Sequence, residues 1–445
     1  SCYEYYIDRA PVFTRGDTLK LARFISKYIK KGNTNVLYHI DQGRIVPSKS
    51  LQDSLSSMLK GNKEFNLIDE QKVIFEKALE IVKNKNNDKQ VYIIHGGPGT
   101  GKTVLAINML VAILNANQNV MYITKNSAPR EVYRKKLTEG KYRKAYVDNL
   151  FKGSGCFTES FKDDFDCLIV DEAHRLNEKS GMFQNLGENQ IKEIINAAKT
   201  SIFFVDDYQI VTTKDIGNTD EIKKWCHFFD AAVYEDTLIS QFRCNGSDSY
   251  LSWLDNVLEI NDEATDDFDF DYDIRICDSP EEVRKLIFEK NKLNNKSRMV
   301  AGYCWNWIKE GKNDSRVHDI QIGDFGMSWN LGSSSTWAID SESVNEIGCI
   351  HTCQGLEFDY VGVIIGEDMR YDNGIITDFT KRARTDQSIK GLKGLYKKDK
   401  EEALKIADKI IKNTYRTLLT RGQKGCYIYC VDAKLSKYLK ERLMK

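Results

Sequence analysis

The chain has 445 residues, of which 41% are hydrophobic and 29% are charged, as in ordinary globular proteins. Its 65 basic and 65 acidic residues cancel, which excludes a polybasic binder but leaves room for a local basic groove. A chain of this length predicts roughly two to four domains with sizeable buried cores.

The sequence contains neither a signal peptide core nor a stretch long and apolar enough to span a membrane. The amino terminus has no apolar signal core, and no stretch of about 18 apolar residues occurs, so we expect a cytoplasmic chain without a membrane partner. Ser1 in place of Met is expected of a processed chain or of a piece of a longer protein. The 11 cysteines form no paired CxxC elements, which favours buried free thiols over a zinc ribbon.

Strands and helices are predicted to alternate from Phe65 onward, after a mixed, helical-looking segment at residues 1–60. Short apolar runs bounded by turns predict buried parallel strands. In the first half these runs are 91–95, 119–124, 167–170 and 201–205. In the second half they are 272–277, 298–304, 360–366 and 425–430. This alternation is typical of a doubly wound parallel α/β sheet.

A glycine-rich turn, GGPGTGKT, follows the first predicted strand and fits G-x-x-x-x-G-K-[ST] in full. Glycines let backbone N–H groups curl around phosphates, and the next helix adds positive potential at its N-terminus. In this interpretation Lys102 reaches the β- and γ-phosphates, and the Thr103 hydroxyl ligates Mg²⁺. The predicted nucleotide-binding residues here are Gly96, Gly97, Pro98, Gly99, Thr100, Gly101, Lys102 and Thr103. The sequence therefore predicts ATP and Mg²⁺ as ligands.

Two acidic residues follow the predicted strand at 167–170. Asp171 is predicted to hold Mg²⁺, directly or through water, and Glu172 to orient and deprotonate the attacking water. An apolar run followed by Asp-Glu is by itself a common strand end. Together with the phosphate-binding turn, it predicts a hydrolytic site.

Further motifs occur in the order found in superfamily 1 helicases, and the chain resembles that group. Within it, the chain is similar to a bacterial family akin to the Schlafen helicase domain. The runs that carry the resemblance are FNLIDEQ (65–71), YITKNSAPR (122–130), FFVDDYQ (203–209), SQFRC (240–244), HTCQGLEFD (351–359) and YRTLLTRGQKG (415–425). Asp-Glu-Ala-His at 171–174 is more typical of superfamily 2, but Gln209 and the Gly-Leu-Glu-Phe run weigh more.

The resemblance implies a role for each matching position. Gln71 would read the adenine edge, for which an amide has suitable donors and acceptors. The implied catalytic residues, besides Glu172, are Gln209 as the γ-phosphate sensor and the two arginines Arg243 and Arg421. The implied nucleotide contacts in the second half are Gln354, Gly355 and Glu357, the last near the ribose. The implied nucleic-acid contacts are Asn126, Arg130, His351 and Thr352.

The same resemblance implies two tandem RecA-like, doubly wound parallel-sheet domains, at residues 61–240 and 241–445. Residues 1–60 would be a small, mostly helical accessory segment. Two arginines from the second domain would neutralise the transferred phosphoryl group when the cleft closes. The expected partner is single-stranded DNA or RNA, the expected state is a monomer, and the family often joins such a motor to a nuclease. The inserts are too short for the large accessory domains of processive unwinding enzymes.

Two other functions compete with a nucleic-acid motor. An ATP-driven regulatory switch would act on a partner protein, although it does not need the full hydrolytic set. A ring-forming AAA-type unfoldase would take its arginine from a neighbouring subunit. The polar run at 370–412 is interpreted as a solvated face or as a surface for backbone phosphates. Trp305 and Trp307 are interpreted as cleft packing or as a stacking platform.

Overall fold

The structure is a computed structural model. It describes residues 13, 17–28, 55, 57–59, 67–84, 88–139, 142–181, 184–240, 248–261, 272–308, 316–330, 336–353 and 356–444. The chain divides into two compact units, residues 1–44 and 45–445. The first unit contains helix α1 (Thr18–Tyr28), which lies in the segment predicted to be mostly helical.

The second unit contains helices and parallel sheets in alternation. Its named helices are α2 (Asp69–Lys83), α3 (Lys102–Asn115), α4 (Ser127–Glu139), α5 (Lys144–Leu150), α6 (Gln190–Ala197), α7 (Thr219–Phe228), α8 (Asp248–Val257), α9 (Pro280–Asn294), α10 (Ile350–Cys353), α11 (Leu392–Lys398), α12 (Lys400–Leu419) and α13 (Ala433–Leu443). Its first strands are β1 (Gln90–Gly96), β2 (Val120–Ile123), β3 (Phe151–Lys152), β4 (Phe165–Val170), β5 (Ala198–Val205) and β6 (Ala232–Leu238). The later strands are β7 (Asp273–Ile276), β8 (Ser297–Ala301), β9 (Ile320–Ile322), β10 (Phe325–Trp329), β11 (Glu346–Gly348), β12 (Phe358–Ile365), β13 (Met369–Tyr371), β14 (Ile375–Thr377) and β15 (Gly422–Cys430).

The first sheet has the order β3-β2-β4-β5-β1-β6 in the described residues, and every pairing is parallel. Side chains of β1 alternate between two buried layers. Tyr92 and Ile94 pack with α2 and α3, whereas Val91 and Ile93 pack with α6 and α7. Because both faces are covered, the strand has a continuous apolar sequence and not an alternating one.

The second sheet has the order β7-β15-β12-β8-β11-β10-β9 in the same part of the chain. Its pairings are parallel except for the antiparallel pair of β9 and β10. Val363 of β12 faces a layer that includes α12 and α13, and Ile364 faces a layer that includes α9. This sheet is therefore also covered on both faces.

The two sheets belong to one packed unit. Val132 of α4 and Val211, from the first half, share an apolar cluster with Ile350 of α10. The Asn413 amide of α12 donates a hydrogen bond to the Ile210 carbonyl across 2.9 Å. The segment after β5 is thus held by side chains from both halves.

The mixed α/β fold with parallel sheets is confirmed. The eight predicted runs correspond to β1, β2, β4, β5, β7, β8, β12 and β15. Strand β6 was missed because it lies at the edge of its sheet, with Ala232, Val233 and Glu235 exposed, and its short apolar run gives way to polar residues at 235–237. None of the helices in the described part of the chain combines the length and apolarity that a bilayer crossing requires.

Lys89, just before β1, binds the carboxyl end of α6. Its ammonium group donates to the carbonyls of Ile195, Asn196 and Ala198 at 2.8 to 3.0 Å. It also lies 2.6 Å from the Asp163 carboxylate. These carbonyls end a helix and have no intrahelical donor, so a cation satisfies them and the helix dipole together.

We expect Lys89→Met to lower the free energy of unfolding by about 2–3 kcal/mol, because buried acceptors lose a charged donor. Urea denaturation followed by circular dichroism would measure this. The matched control is Lys199→Met, since Lys199 is 60% exposed and pairs with Asp166 at 2.8 Å. An exposed pair contributes under about 1 kcal/mol. Equal losses in both variants would contradict the capping role of Lys89.

Candidate functional site

The predicted site residues converge because three neighbouring strands end at the same edge of the first sheet. Strands β4, β5 and β1 are adjacent and parallel. Residues 96–103 follow β1, residues 171–172 follow β4, and residues 206–209 follow β5. In open parallel sheets, ligands bind at this carboxyl edge.

The turn at 96–103 has the shape of a phosphate cradle. Gly99 and Gly101 have φ of 84° and 82°, which is the left-handed region that favours glycine. A Cβ on Gly96 would lie 2.5 Å from Thr100 Oγ1, so a larger residue there would displace a hydroxyl that donates to the Gly97 carbonyl. The Lys102 ammonium is buried and donates to the carbonyls of Gly96 and Gly97 at 2.6 and 2.7 Å. A cation and the start of α3 therefore meet inside one turn.

Asp171 lies beside the hydroxyl of the turn. Thr103 donates from Oγ1 to Asp171 Oδ2 across 2.7 Å, and Tyr122 Oη donates to the same oxygen. The Glu172 amide donates to Asp171 Oδ1 at 3.0 Å. Burial, followed by the charge of Glu172, raises the pKa of Asp171. A divalent cation at these oxygens would oppose that shift.

Glu172 lies beside a histidine that sequence reasoning did not single out as functional. His174 is fully buried, and its Nε2 lies 2.9 Å from Glu172 Oε2. The Asp206 amide donates to His174 Nδ1 across 3.3 Å, which places the ring proton of neutral His174 on Nε2. Nε2 and Oε2 are close but outside hydrogen-bond geometry, so a small rotation of either side chain would let that proton donate to Glu172.

The electrostatics keep Glu172 ionised. Burial favours its neutral form, but His174, Lys102 and Arg421 outweigh burial and hold the pKa of Glu172 well below its usual range. Its backbone lies in the left-handed region, with φ of 53°. Non-glycine residues are uncommon there, and such strain is concentrated at functional sites.

Gln209 lies within the same buried group. It is 1% exposed, and its Nε2 donates to Asp206 Oδ2 across 2.7 Å. Asp206 Oδ2 also lies 3.9 Å from the Lys102 ammonium. Gln209 Oε1 has no hydrogen-bond partner among the described residues. A buried carbonyl oxygen without a donor fits a site that receives a ligand or a water molecule.

Gln71 lies on the other side of the turn. It is 3% exposed, and its amide Nε2 donates to the Thr100 carbonyl across 3.2 Å. The neighbouring Glu70 accepts from the amides of Ile239 and Ser240 at 3.1 and 2.8 Å. The start of α2 therefore contacts both the phosphate-binding turn and the end of the first half.

Arg421 comes from the second half, between α12 and β15. It is fully buried, and its guanidinium donates to the carbonyls of Thr417 and Leu356 at 2.9 and 3.4 Å. Its charge contributes to lowering the pKa of Glu172. The structure therefore brings one of the two predicted arginines into the electrostatic environment of the site.

The other residues predicted to contact the nucleotide are Glu357, Arg243, Gln354 and Gly355. Glu357 is exposed and accepts from Gln423 Nε2 across 2.6 Å. Arg243, Gln354 and Gly355 lie outside the described residues.

The predicted nucleic-acid residues of the first half lie together after β2. Arg130 Nε donates to the Asn126 carbonyl at 3.4 Å. A Cβ on Gly153 would lie 2.7 Å from Arg130 Nη1, so the guanidinium lies against that glycine. Burial lowers the pKa of Arg130. The Asn126 side chain accepts from the Ala128 amide and so caps the start of α4.

His351 and Thr352 lie on α10 of the second half, and both are half-buried. Thr352 Oγ1 donates to the Cys349 carbonyl and accepts from the Cys349 amide, both at 2.9 Å. Burial, followed by the charge of Arg175, lowers the pKa of His351 to about 4. His351 is therefore neutral near pH 7 and would contact a phosphate by hydrogen bonding, without charge.

Sequence reasoning did not single out Tyr122, His174 and Asp206. Each was visible in a quoted motif, but none has a role in the bare phosphate-binding pattern. Asp206 could have been predicted from the sequence. An acidic residue directly after a buried parallel strand lies at the same sheet edge as the phosphate-binding turn. The contacts of Tyr122 and His174 depend on pairing between strands, which the sequence does not give directly.

Comparison with known proteins places the chain in a family. A family model for the Schlafen group 3 DNA/RNA helicase domain matches residues 89–432. An uncharacterized protein of Saccharomyces cerevisiae is 27% identical over 320 residues, which are 63% of this chain and 64% of that protein. The chain thus spans less than two thirds of that relative.

Similarity to solved structures is much looser. Replication initiator DnaA bound to AMPPCP and single-stranded DNA is 17% identical, with a TM-score of 0.24 over 45% of this chain and 54% of that one. Domain III of the Thermotoga maritima replication initiation protein DnaA is 18% identical, with a TM-score of 0.25 over 48% of this chain and 76% of that one. TM-scores this low carry no argument about function. The family match, in contrast, covers well over half of the chain and includes the strands that build the site, so this chain belongs to the Schlafen group 3 DNA/RNA helicase-domain family.

Proposed function

We propose that this chain is an ATP-driven motor of the superfamily 1 type that moves along single-stranded DNA or RNA. ATP would be hydrolysed between two RecA-like domains, at residues 61–240 and 241–445, with residues 1–60 as an accessory segment. The observation that carries the proposal is the convergence of Lys102, Asp171, Glu172 and Gln209 at one sheet edge, joined by Arg421 from the other half.

The donor set fits MgATP. Thr103 Oγ1 and Asp171 Oδ2 lie 2.7 Å apart, and hard oxygen donors of this kind suit Mg²⁺. When bound there, Mg²⁺ would neutralise charge on the β- and γ-phosphates. Lys102 would turn from the carbonyls of the phosphate-binding turn to those phosphates. Gln71, already on the Thr100 carbonyl, would present its amide to adenine.

Hydrolysis needs a base and a positioned water molecule. Glu172 is ionised and faces His174, so it can accept a proton from water. Gln209 offers an unpartnered buried carbonyl oxygen that can accept a hydrogen bond from that water. Arg421, and Arg243 if it occupies the position that the family resemblance implies, would stabilise charge on the transferred phosphoryl group. Opening and closing of the cleft would then pull a strand that contacts both halves.

The proposal is tested by ATP hydrolysis with and without single-stranded DNA and RNA. We expect one polymer to stimulate turnover strongly, and Lys102→Ala to abolish both basal and stimulated activity. Lys72→Ala is a matched control, because this lysine is exposed and, among the described residues, its ion pair is with Asp69 on the surface of α2. Hydrolysis that no polymer changes would overturn the motor and favour a regulatory switch. Absence of hydrolysis in the wild-type chain would overturn the ATPase assignment.

His174 should act as a positioning residue for Glu172. We expect His174→Asn to lower kcat roughly 10- to 100-fold, as for other groups that orient a catalytic residue. An asparagine amide reproduces the Nδ1 position, which accepts from Asp206, but provides no donor at the Nε2 position. KM for ATP should change little, because the polar contacts of His174 in the described part of the chain are to Glu172 and Asp206, outside the turn at 96–103. Steady-state kinetics separates the two constants.

His174→Gln is the matched variant, since its amide reaches the Nε2 position and can still donate to Glu172. We expect it to keep most of the activity that His174→Asn loses. If both variants lose kcat equally, the donor at Nε2 is not what orients Glu172.

A further inference from the structure

Five cations are exposed along one short stretch of the second half. They are Arg384, Lys390, Lys393, Lys397 and Lys398, and we call them the basic surface. In a chain whose net charge is zero, this is a marked local excess of positive charge. Local excess of this kind is the electrostatic footprint of a polyanion site.

The side chains of the basic surface are not paired with carboxylates in the described part of the chain. Among the described residues, none of its five side chains makes an ion pair, whereas the nearby Lys381 pairs with Glu367 at 3.0 Å. Three acidic residues follow directly, of which Asp399 caps α12 by accepting from the Glu402 amide at 3.0 Å, and Glu401 and Glu402 are exposed. Lys393 and Lys397 are four residues apart on α11, where like charges repel. A bound polyanion would relieve that repulsion.

The backbone beneath the basic surface is rigidly anchored. The Arg382 and Asp386 side chains are fully buried and lie 2.6 Å apart. Ser388 donates to Asp386 from both its amide and its hydroxyl, each at 2.8 Å. Arg382 also lies 3.5 Å from Asp368, which accepts from the Tyr415 hydroxyl of α12. The backbone that carries the exposed cations is therefore fixed by buried hydrogen bonds and ion pairs.

The location of the basic surface suits a strand that crosses both halves. The Ala383 amide donates to the Tyr303 carbonyl at 2.8 Å, which places this stretch at the carboxyl end of β8. Thr213, of the first half, donates to the Ser388 carbonyl at 2.8 Å and to the Lys390 carbonyl at 2.9 Å. The basic surface thus lies where the two halves contact each other.

One helix connects the basic surface to the proposed nucleotide site. Helix α11 packs against α12, with Leu392 in the shared apolar cluster. The 20 residues of α12 extend over about 30 Å at 1.5 Å per residue. Near its end, Arg416 lies over the Tyr208 ring, 5.7 Å from the ring centroid, and Arg421 follows. A force on α11 would therefore be transmitted to the segment that carries Gln209 and to Arg421.

We propose that the basic surface binds the phosphate backbone of the single strand and that α12 transmits this contact to the nucleotide site. This inference rests on the proposed motor function and deepens it, because it assigns a track contact outside the motifs that the family resemblance supplied. A phosphate contact of this type positions the strand without reading its sequence.

The test compares two matched double variants of the full chain, Lys393→Gln/Lys397→Gln and Lys285→Gln/Lys292→Gln. The control lysines are exposed on α9, which packs on the outer layer of the second sheet. Binding of fluorescein-labelled oligo(dT) and oligo(U) is measured by anisotropy over a series of NaCl concentrations. Each phosphate contact to a single strand contributes about 0.7 to the slope of log K against log salt. We expect the first variant to bind more weakly and to lose about 1.4 from that slope.

ATP hydrolysis provides the second readout. The first variant should keep the basal rate, because its lysines lie outside the nucleotide site, but should need several-fold more polymer for half-maximal stimulation. The α9 variant should match the wild-type chain in both assays. Equal salt slopes for the two variants would contradict the proposal that the basic surface binds the strand, but would leave the proposed motor function untouched. If the wild-type chain binds neither oligonucleotide, both the basic surface and the nucleic-acid track are overturned.

Discussion

Glu172→Gln is expected to lower kcat for ATP hydrolysis roughly 10²- to 10⁴-fold, the range that general-base catalysis contributes. Glutamine has the same shape and can still accept the proton of His174 Nε2, so the site should keep its geometry. It cannot accept a proton from water at neutral pH. ATP affinity should change little, because the phosphates would be bound by Lys102 and the turn at 96–103.

Single-turnover hydrolysis and equilibrium binding of a fluorescent ATP analogue measure the two quantities separately. Glu178→Gln is a suitable control, because this carboxylate is exposed and lies only six residues along the chain. Its rate should match that of the wild-type chain. A Glu172→Gln variant that retains its rate would show that another group activates the water.

The family and the phosphate-binding turn could be predicted from sequence because both are encoded locally. The glycines of the turn are required by backbone conformation, as φ of Gly99 and Gly101 confirms. Continuous apolar runs indicated the buried strands, since a parallel sheet covered on both faces leaves no polar alternation. Residues that follow such runs are expected at one edge of a sheet, and Asp171 does lie at that edge, where it accepts from Thr103 across 2.7 Å.

What could not be predicted depends on strand order. The order β4-β5-β1 brings Asp206 between Glu172 and Lys102, and no local pattern specifies that β5 is inserted there. His174 can present an Nε2 proton to Glu172 only because the Asp206 amide donates to its Nδ1 across 3.3 Å. The sequence shows the basic surface as part of the polar run at 370–412, which it interprets as a solvated face or as a phosphate-binding surface. The structure adds the buried residues beneath the basic surface, and these favour the second interpretation. Arg382 lies within that run, but its side chain is buried and paired with Asp386. Its role is therefore structural, and it is not available to bind a phosphate.

Arg421→Lys is expected to lower kcat by about 10³- to 10⁵-fold, the contribution of an arginine finger to phosphoryl transfer. Lysine keeps the positive charge but loses the planar fork that contacts two phosphoryl oxygens at once. The loss corresponds to about 4–7 kcal/mol of transition-state stabilisation. Affinity for ADP should hardly change, because the guanidinium would act on the γ-phosphate, which ADP lacks. Stopped-flow phosphate release and ADP titration measure these effects.

Because Arg421 is fully buried and bonds to the end of α12, the loss of its guanidinium must be distinguished from a disturbance of that helix. Arg416→Lys is the matched control near the end of α12, since Arg416 pairs with Asp255 and is not among the predicted nucleotide contacts. Thermal melting of both variants would show whether the helix and its packing are kept. If Arg416→Lys lowers kcat as much as Arg421→Lys at equal stability, the effect arises from the position of α12. A loss confined to Arg421→Lys, with ADP affinity intact, requires a guanidinium that acts on the γ-phosphate from the second half of the chain.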